Sequence, residues 1–377
     1  MSRRKILIVL EGVLGGTLRH LDSLLRFAPA EEFEIHLALS ARRAPRVRED
    51  FARWEQEGWV VHVIPMRREI RPWEDLRALH AILSLCRCEN YDLIHTHCAK
   101  AGFLGRLAAY LTGVPAVHTP HVFPFVHVGG EWGREIFQGA ERIAARWTDR
   151  FILLSNYQLN VLLQAGLGGP ADAKIIPNGI RPDTYALRDR ETARVELDLP
   201  PTAPIALFAG RFRPQKGLDV LVRAAELMKP DLKNELIVLA GEGPQRELIE
   251  QRAHKAGLSS HLRLEGHTDR MELYYAACDF VIMPSRAEGL PYVLLESKAA
   301  CRPVVASLVS GIEEWVEHGV DGLLVPPEDP ETLADRLSEL FQDRPRAHEM
   351  GRRAREGFRD CWRARRAAES TFDLYRQ

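Results

Sequence analysis

The chain has 377 residues, a length that suits about two α/β domains. Its residues are 46% hydrophobic and 27% charged, a composition typical of a folded protein. Its 51 basic and 52 acidic residues give a formal net charge of -1, which argues against nucleic acid as a partner. The apolar run Ile6–Leu10 is too short for a signal peptide or a membrane span, and the six cysteines lack disulfide-like spacing, so we expect a cytoplasmic protein.

Short apolar runs alternate with helical patterns along the first half of the chain. The runs have the length and continuous apolar character of buried parallel strands. They are Lys5–Leu10, Phe33–Leu39, Trp59–Ile64, Asp92–Thr96, Ala116–Thr119 and Phe151–Leu154. The helical patterns include Thr17–Arg26, Trp73–Cys86, Ala99–Leu111 and Gly133–Trp147. This alternation predicts a doubly wound parallel sheet.

A segment rich in turn-forming residues interrupts the pattern near Ile176 and continues to Pro204. Further predicted strands follow at Ile205–Ala209, Leu236–Ala240, Leu262–Leu264, Phe280–Met283, Val304–Ala306 and Leu323–Val325. The chain then ends in mostly helical sequence. We therefore predict two Rossmann-like α/β domains, each a doubly wound parallel sheet, joined by a proline-rich linker and facing each other across a cleft.

The loop after the first strand is rich in glycine. Ligands bind parallel α/β sheets at the carboxyl ends of the strands, so the strand-to-helix loops are the candidate sites. Gly15 and Gly16 would let backbone N–H groups approach an anion, although glycine would equally suit a tight turn. The Gly-x-Gly-x-x-Gly fingerprint of nicotinamide enzymes and the Walker sequence are both absent.

Two cations lie in the corresponding loop of the second domain. Arg211 and Lys216 follow the strand Ile205–Ala209 and precede a predicted helix that starts near Gly217. A planar guanidinium together with an ammonium suits a diphosphate, whereas isolated charges of this kind are commonly solvated surface groups.

A third loop follows the strand Phe280–Met283. Glu288 lies in it, and Glu296 lies in the helix that we predict to begin at Pro291. The backbone N–H groups of Gly289 and Leu290 could hold a phosphate or sugar oxygen, while the two carboxylates accept hydrogen bonds from vicinal hydroxyls. Acidic residues near a helix N-terminus can also be purely structural.

Histidines recur at the strand ends of the first domain. His118 and His121 lie at one such end and are candidates for ligand contact, whereas we expect His95 and His97 to be structural or to contact an acceptor. We assign no role to His20, His36 or His62. The nearby group Cys86, Cys88, His95, His97 and Cys98 fits no common zinc spacing, so we predict no metal site.

The order and spacing of these motifs resemble glycosyltransferase family 4, the retaining enzymes of the type-B fold, and especially those that build exopolysaccharide, capsule and O-antigen chains. The resemblance covers nearly the whole chain. Its motifs are Gly15-Gly16, His95-Thr96-His97, Gly105–Ala109, His118–His121, Asn178-Gly179, Gly210-Arg211, Lys216-Gly217, Gly241–Pro244, Glu288…Glu296, Pro303–Ala306 and Gly322–Pro326.

The resemblance implies a role for each domain. Residues 1–180 would form the acceptor domain and 181–355 the domain that binds a nucleotide diphosphate sugar, with 356–377 as a helix packing back on the first. The donor would be a nucleotide diphosphate sugar, with uridine favoured over guanosine as the base, and the acceptor a saccharide or lipid-linked saccharide. No cofactor is implied, and since the chain has no Asp-x-Asp, protein cations would replace a metal ion.

The resemblance also implies roles for individual residues. Arg211 and Lys216 would neutralise the donor diphosphate. Glu296 would hold the ribose, and Glu288 with the Gly289 and Leu290 amides would hold the transferred sugar. His121 would contact that sugar, and Gly16 would approach the diphosphate from the first domain. Val122 departs from the glycine that many relatives have after this histidine.

Two further interpretations concern the acceptor side and the kind of reaction. The apolar segment 122–128 would either admit a lipid-linked acceptor or be buried. The basic residues Arg67, Arg68 and Arg71 beside Trp73 would attract anionic lipid in a peripheral membrane contact.

A sugar-nucleotide epimerase of the same fold, or a non-catalytic protein that binds sugar nucleotides, is the alternative to a transferase.

Overall fold

The computed structural model describes residues 3–41, 47–67, 69–126, 130–185 and 188–377. The chain divides into two compact units. The first comprises residues 1–179 together with 364–377, and the second comprises residues 180–363. The second unit thus continues to Arg363 instead of ending at 355, because Trp362 is buried within it against Trp315, with ring centroids 5.5 Å apart.

The first unit is built on a parallel sheet of seven strands among the described residues, in the order β3-β2-β1-β4-β5-β6-β7. The strands are β1 Arg4–Leu10, β2 Phe33–Leu39, β3 Val60–Val63, β4 Leu93–His97, β5 Ala116–Thr119, β6 Arg150–Leu153 and β7 Ala173–Ile175. Its helices are α1 Gly16–Arg26, α2 Val47–Gln56, α3 Pro72–Glu89, α4 Lys100–Thr112, α5 Glu131–Ala145, α6 Asn156–Gln164 and the returning α14 Ala364–Arg376.

Strand β1 shows why this sheet is covered on both faces. Ile6 and Ile8 belong to a core shared with α1, α2 and α14, whereas Leu7 and Val9 belong to a core shared with α3 and α4. Successive side chains of a strand point to opposite faces, so a continuous apolar run requires two apolar layers. The predicted doubly wound sheet is confirmed.

The edges of this sheet differ from the prediction. The predicted buried strand Trp59–Ile64 is shorter and half-exposed, because β3 is the outermost strand on its side. Strand β7 at the opposite edge was not predicted; with three residues it is too short to give a recognisable pattern. Helix α14 packs on the face beside Phe33, whose ring centroid lies 5.1 Å from that of Phe372.

The second unit repeats the same architecture. A parallel sheet of six strands among the described residues has the order β10-β9-β8-β11-β12-β13. The strands are β8 Ile205–Ala209, β9 Leu236–Ala240, β10 Leu262–Gly266, β11 Phe280–Met283, β12 Val304–Ser307 and β13 Gly322–Val325. The helices are α7 Arg190–Glu196, α8 Leu218–Met228, α9 Arg246–Lys255, α10 Met271–Ala277, α11 Tyr292–Ala299, α12 Pro330–Gln342 and α13 Arg344–Glu356.

Most of the proline-rich segment predicted as a linker belongs to the body of the second unit, which begins at Ile180. Arg194 of α7 is buried, and its guanidinium donates hydrogen bonds to the carbonyls of Ala277, Pro200 and Pro201. These bonds fix the prolines against α10, so the segment is held as structure and not left as a tether. No helix among the described residues is long and apolar enough to cross a membrane.

Candidate active site

The strand order of the first unit reverses between β1 and β4, with β5 next to β4. Ligands bind open α/β sheets at such a reversal, beyond the carboxyl ends of the strands. Three connections meet there, because the chain passes from β1 into α1, from β4 into α4 and from β5 toward α5. The predicted residues Gly15, Gly16 and His121 all lie on these connections.

His121 lies at the tip of a very tight turn. The amide of Val122 donates to the carbonyl of Pro120 at 2.6 Å, and His121 between them has φ 56°. This three-residue turn with a positive central φ is strained for a side chain other than glycine. The side-chain amide of Gln158 donates to the His121 carbonyl through Nε2 at 2.7 Å and helps to hold the turn. Strained backbone residues cluster at active sites and ligand-binding sites.

The turn brings His121 against two other histidines. His97, the last residue of β4, places Nδ1 3.1 Å from Nε2 of His121. His20, on the second turn of α1, has its ring centroid 4.9 Å from that of His121 and 5.4 Å from that of His97. We call His20, His97 and His121 the histidine triad. One ring nitrogen of each lies within 4.8 Å of one ring nitrogen of the other two.

Two members of the triad have an unsatisfied nitrogen. The Nε2 atoms of His20 and His97 are buried and have no hydrogen-bond partner among the described residues. We assigned His20 no role from sequence, and the structure places it in the site. The available signal was its position, since a histidine soon after the glycine loop of a first strand lies near the carboxyl edge of the sheet.

The remaining strand-end histidines have structural contacts. His95 places its two ring nitrogens 2.5 Å from the hydroxyl of Tyr375 and 2.8 Å from that of Thr119. His118 lies 2.9 Å from the Thr96 hydroxyl, and its ring fills the space above Gly102, where an added Cβ would lie only 2.5 Å from it. Both ring nitrogens of His95 therefore have partners, which agrees with a structural role, one of the two that we expected for it. The ring of His118 packs against Thr96 and Gly102 and is not part of the triad.

Burial keeps all these histidines uncharged at neutral pH. It lowers the pKa of His20 to about 4, an effect that a hydrogen bond with Asn178 partly offsets. It also lowers the pKa values of His95, His97, His118 and His121 well below their ordinary range, and repulsion between neighbouring rings adds to the effect for His97. Neutral imidazoles can donate and accept hydrogen bonds or bind a metal ion, but they supply no charge to an anion.

The glycines of the first loop lie where helix α1 begins. Gly15 is the N-terminal cap with φ 58°, a conformation that favours glycine, and Gly16 is the first helical residue. Both are exposed, and nothing lies within 4 Å of a Cβ built on Gly15. The glycine there serves the backbone conformation and leaves the helix N-terminus accessible.

In the second unit the strand order reverses between β8 and β11. The loop after β8 carries Lys216, and the loop after β11 carries Glu288. The Lys216 Nζ atom donates to Glu288 Oε1 at 2.6 Å, and the hydroxyl of Ser285 donates to the same oxygen at 2.7 Å. Glu288 is buried and Lys216 is half-buried. The structure thus joins two residues that the sequence places 72 positions apart.

Close backbone contact locks these two loops together. Gly217 has φ 64°, and a Cβ there would lie 1.9 Å from the carbonyl oxygen of Pro284. The Arg286 amide donates to the Gln215 carbonyl at 2.8 Å, and the Gln215 side chain donates to the Ala287 carbonyl at 2.9 Å. The ion pair of Lys216 and Glu288 therefore rests on a rigid double loop.

Glu296 is buried within α11 and is held by two tyrosines. The hydroxyl of Tyr275 donates to Oε2 at 2.7 Å, and that of Tyr185 donates to Oε1 at 3.0 Å. Neither tyrosine was singled out from sequence, because both are distant from Glu296 along the chain. The prediction that Pro291 is the first helical residue is wrong by one position, because Pro291 caps the helix and Tyr292 begins it.

The other predicted residues lie on the same loops. Arg211 follows β8 and is half-buried, whereas Gly289 and Leu290 are buried just before α11. In the apolar segment 122–128, Phe123 and Phe125 pack in a core with Phe151 and Leu153. The aromatic part of that segment is thus buried, and its residues His127 and Val128 lie outside the described part of the chain.

Two family models match the chain. The model described as Glycosyltransferase Family 4 matches residues 14–184, and the model described as Glycosyl transferases group 1 matches residues 189–357.

Curated relatives carry glycosyltransferase names. A D-inositol 3-phosphate glycosyltransferase from Saccharomonospora viridis is 34% identical over 76% of this chain and 70% of its own length. The chain spans 63% of the enzyme of that name from Thermobispora bispora, at 32% identity over 67% of this chain. An Escherichia coli UDP-Gal:alpha-D-GlcNAc-diphosphoundecaprenol alpha-1,3-galactosyltransferase is 27% identical over 90% of this chain and 87% of its own.

Solved structures share the fold over the full length. Sucrose-phosphate synthase from Thermosynechococcus elongatus has a TM-score of 0.84 at 23% identity and covers 100% of this chain and 99% of its own. HepE from Anabaena in complex with UDP-glucose has a TM-score of 0.80 at 22% identity, with 99% of each chain covered. The chain therefore belongs to glycosyltransferase family 4 and has the type-B fold, as its two Rossmann-like units, the two family models and these relatives show.

Proposed function

We propose that the enzyme transfers a sugar from a UDP-sugar to a saccharide or lipid-linked saccharide, with retention of configuration and with protein cations in place of a metal ion. The observation that carries the proposal is the contact of Lys216 with Glu288 at the strand-order reversal of the second unit. This contact sets a cation and a carboxylate side by side where an α/β sheet binds its ligand, which supports the proposal.

Lys216 and Arg211 are assigned to the donor diphosphate. When the bond from the anomeric carbon to the diphosphate breaks, its electron pair stays on the phosphate oxygen, and negative charge grows there. A fixed cation stabilises that charge without reorganising solvent. An ammonium has three donors, so Lys216 can keep its bond to Glu288 while it binds a phosphate oxygen.

The carboxylates are assigned to sugar hydroxyls. Glu288 is held in place by Lys216 and Ser285 and still has acceptor capacity, since a carboxylate offers about four lone-pair sites. Glu296 binds the ribose, and the amides of Gly289 and Leu290 assist with the transferred sugar. We assign His121 and Gly16 to the substrate contacts of the first unit, where His121 acts as a neutral hydrogen-bonding group.

Retention follows from attack on the face that the diphosphate leaves. The acceptor oxygen forms the new bond to the anomeric carbon as the bond to the diphosphate breaks. Its proton passes to the departing phosphate oxygen, so no protein nucleophile is needed. The bound UDP-glucose of HepE and the donor in the name of the Escherichia coli relative support a UDP-sugar, and the diphosphoundecaprenol in that name supports a lipid-linked acceptor.

The donor is identified first, from the rise in melting temperature of the protein with a panel of nucleotide diphosphates and nucleotide sugars. Lys216→Ala and Arg211→Ala are then each expected to lower kcat by about 100- to 1,000-fold, as loss of one charge-stabilising donor does elsewhere. Lys233→Ala removes an exposed cation of the same unit and is the matched control.

Near-normal turnover in both Lys216→Ala and Arg211→Ala, with a verified donor and acceptor, would refute the proposal. A new sugar nucleotide formed from the donor alone would identify an epimerase instead. Donor binding with neither transfer nor hydrolysis across a broad acceptor panel would identify a non-catalytic protein.

Exposed aromatic groups on the first unit support a peripheral membrane contact that would give access to a lipid-linked acceptor. Trp73 in the first turn of α3 is 78% exposed, and Trp132 in the first turn of α5 is 82% exposed. Helices that follow parallel strands begin at the carboxyl edge of the sheet, so both tryptophans lie toward the edge that carries His121. Arg67 is partly neutralised by Glu74 at 3.1 Å, and Arg68 lies outside the described residues.

Flotation with vesicles of anionic lipid tests this contact. Trp73→Ser is expected to reduce the floated fraction, whereas Val195→Ser, which replaces an exposed apolar group of the second unit, leaves it unchanged. Absence of flotation by the unmodified protein, with full activity on a soluble acceptor, would remove the membrane contact from the proposal.

A further inference from the structure

The histidine triad has the chemistry of a metal site. It brings three imidazoles to one point, with one nitrogen of each within 4.8 Å of the others. Around a tetrahedral zinc ion with Zn–N bonds of about 2.0–2.1 Å, ligand nitrogens lie about 3.3 Å apart. Side-chain rotations that close the present gaps by about 1.5 Å or less would therefore complete the site.

Unsatisfied nitrogens and their mutual distances indicate that the triad can receive a ligand. The buried Nε2 atoms of His20 and His97 have no partner within the described chain, although buried polar atoms normally have one. Each residue of the triad offers one ring nitrogen, and these nitrogens lie within 4.8 Å of one another, so one ion could reach all three after small side-chain rotations.

The surroundings hold the rings in place. His95 lies with its centroid 4.0 Å from that of His97, and it is itself fixed by Tyr375 and Thr119. Gln158 holds the backbone of His121. Contacts of this kind, one layer behind the ligands, fix ring orientation at known metal sites.

We propose that His20, His97 and His121 bind one divalent transition-metal ion, with Zn²⁺ as the favoured ion. Three imidazoles with a fourth position open to water suit Zn²⁺, Co²⁺ or Ni²⁺, whereas Mg²⁺ and Ca²⁺ require oxygen ligands. The ion is not needed for transfer. Because it occupies His121, it inhibits the enzyme, and this consequence alone rests on the proposed function.

Binding is measured directly on protein freed of metal by a chelator. Cys88→Ser and Cys361→Ser are first combined in the full chain, because these two exposed thiols could also bind Zn²⁺. Equilibrium dialysis with metal analysis is then expected to find one Zn²⁺ per chain, and Co²⁺ is expected to give the visible absorption of a four-coordinate site. Excess Mg²⁺ should displace neither ion.

In that background, His20→Gln and His97→Gln are each expected to weaken Zn²⁺ binding by at least about 100-fold. Loss of a residue that only supports a metal ligand usually costs about 10- to 100-fold, so a larger effect indicates a ligand. His267→Gln, which alters an exposed histidine of the second unit, should keep full affinity. Zn²⁺ should raise the melting temperature of the Cys88→Ser/Cys361→Ser background and of the His267→Gln control but not of the two triad variants. The melting of the two triad variants without metal shows that they are folded.

Failure to bind one Zn²⁺ in the dialysis, or equal affinity in the triad variants and the control, would overturn the proposal. Inhibition of transfer by Zn²⁺, reversed by chelator and absent in His20→Gln, is the expected result in the activity assay. Stoichiometric binding without inhibition would leave the metal site standing and contradict the assignment of His121 to the substrate.

Discussion

Mild acid should destabilise the first unit through its buried histidines. An unfolded histidine has a pKa of 6.5, whereas burial lowers that of folded His20 to about 4. The unfolded chain therefore binds more protons below pH 6.5, and stability falls as the pH drops from 6.5 toward 4. Between pH 7.5 and 5.5, His20 alone should cost about 1.3 kcal/mol of unfolding free energy.

The effect grows with the number of such groups. Burial also lowers the pKa values of His95, His97, His118 and His121 well below their ordinary range, so each should lower stability in the same direction over this interval. Carboxylates with lowered pKa values, such as Glu349 at about 2, lose their contribution only at lower pH and do not obscure this interval.

The assay is urea unfolding at pH 7.5, 6.5 and 5.5, followed by hydrogen exchange of peptides from β4 and β5 so that the first unit is measured by itself. His20→Gln removes one of these groups, so its loss of stability between pH 7.5 and 5.5 should be smaller than that of the unmodified protein by about 1.3 kcal/mol. His267→Gln should behave as the unmodified protein. Equal losses in His20→Gln and the unmodified protein would refute the reasoning.

Two further substitutions test the second unit. Gly217→Ala should lower the free energy of unfolding by at least about 2 kcal/mol more than Gly319→Ala does. Both glycines have positive φ, but only at Gly217 would an added Cβ overlap the Pro284 carbonyl. Equal losses of stability in urea unfolding would contradict this close contact. Tyr185→Phe should tighten UDP binding by up to about 10-fold in calorimetry, because it removes the hydroxyl that competes with the ribose for Glu296 Oε1. Weaker binding in this variant would contradict the assignment of Glu296 to the ribose.

Local pattern was sufficient to predict most of the two sheets. Strands such as β1 and β8 are buried on both faces, so nearly every residue is apolar and the run is visible in sequence. Strand β3 lies at an edge, where one side is open to solvent, and its pattern indicates a strand but not its exposure. The end of the second unit was misplaced because nothing local to Trp362 shows that its ring packs against Trp315.

The candidate site was predictable in its position more than in its contacts. Lys216 and Glu288 were found because both follow strands of one sheet, although only the fold shows that those strands are neighbours. His20 and Tyr185 were missed because their partners come from other elements, and no spacing along the chain encodes those contacts. The strained turn at His121 was also beyond sequence patterns, since it depends on the bond from Val122 to Pro120.

The two strand-order reversals place different chemistry at equivalent positions of one architecture. In the first unit, burial has removed the charge from the histidine triad, and its groups can only exchange hydrogen bonds or bind a metal ion. In the second, the side chain of Lys216 contacts Glu288, with Arg211 on the same loop. Under the proposed function, the cations of the second reversal bind the diphosphate, and the neutral rings of the first offer hydrogen bonds to sugar hydroxyls. Topology therefore fixes where each unit can bind, and the charge state of a few side chains decides what it binds.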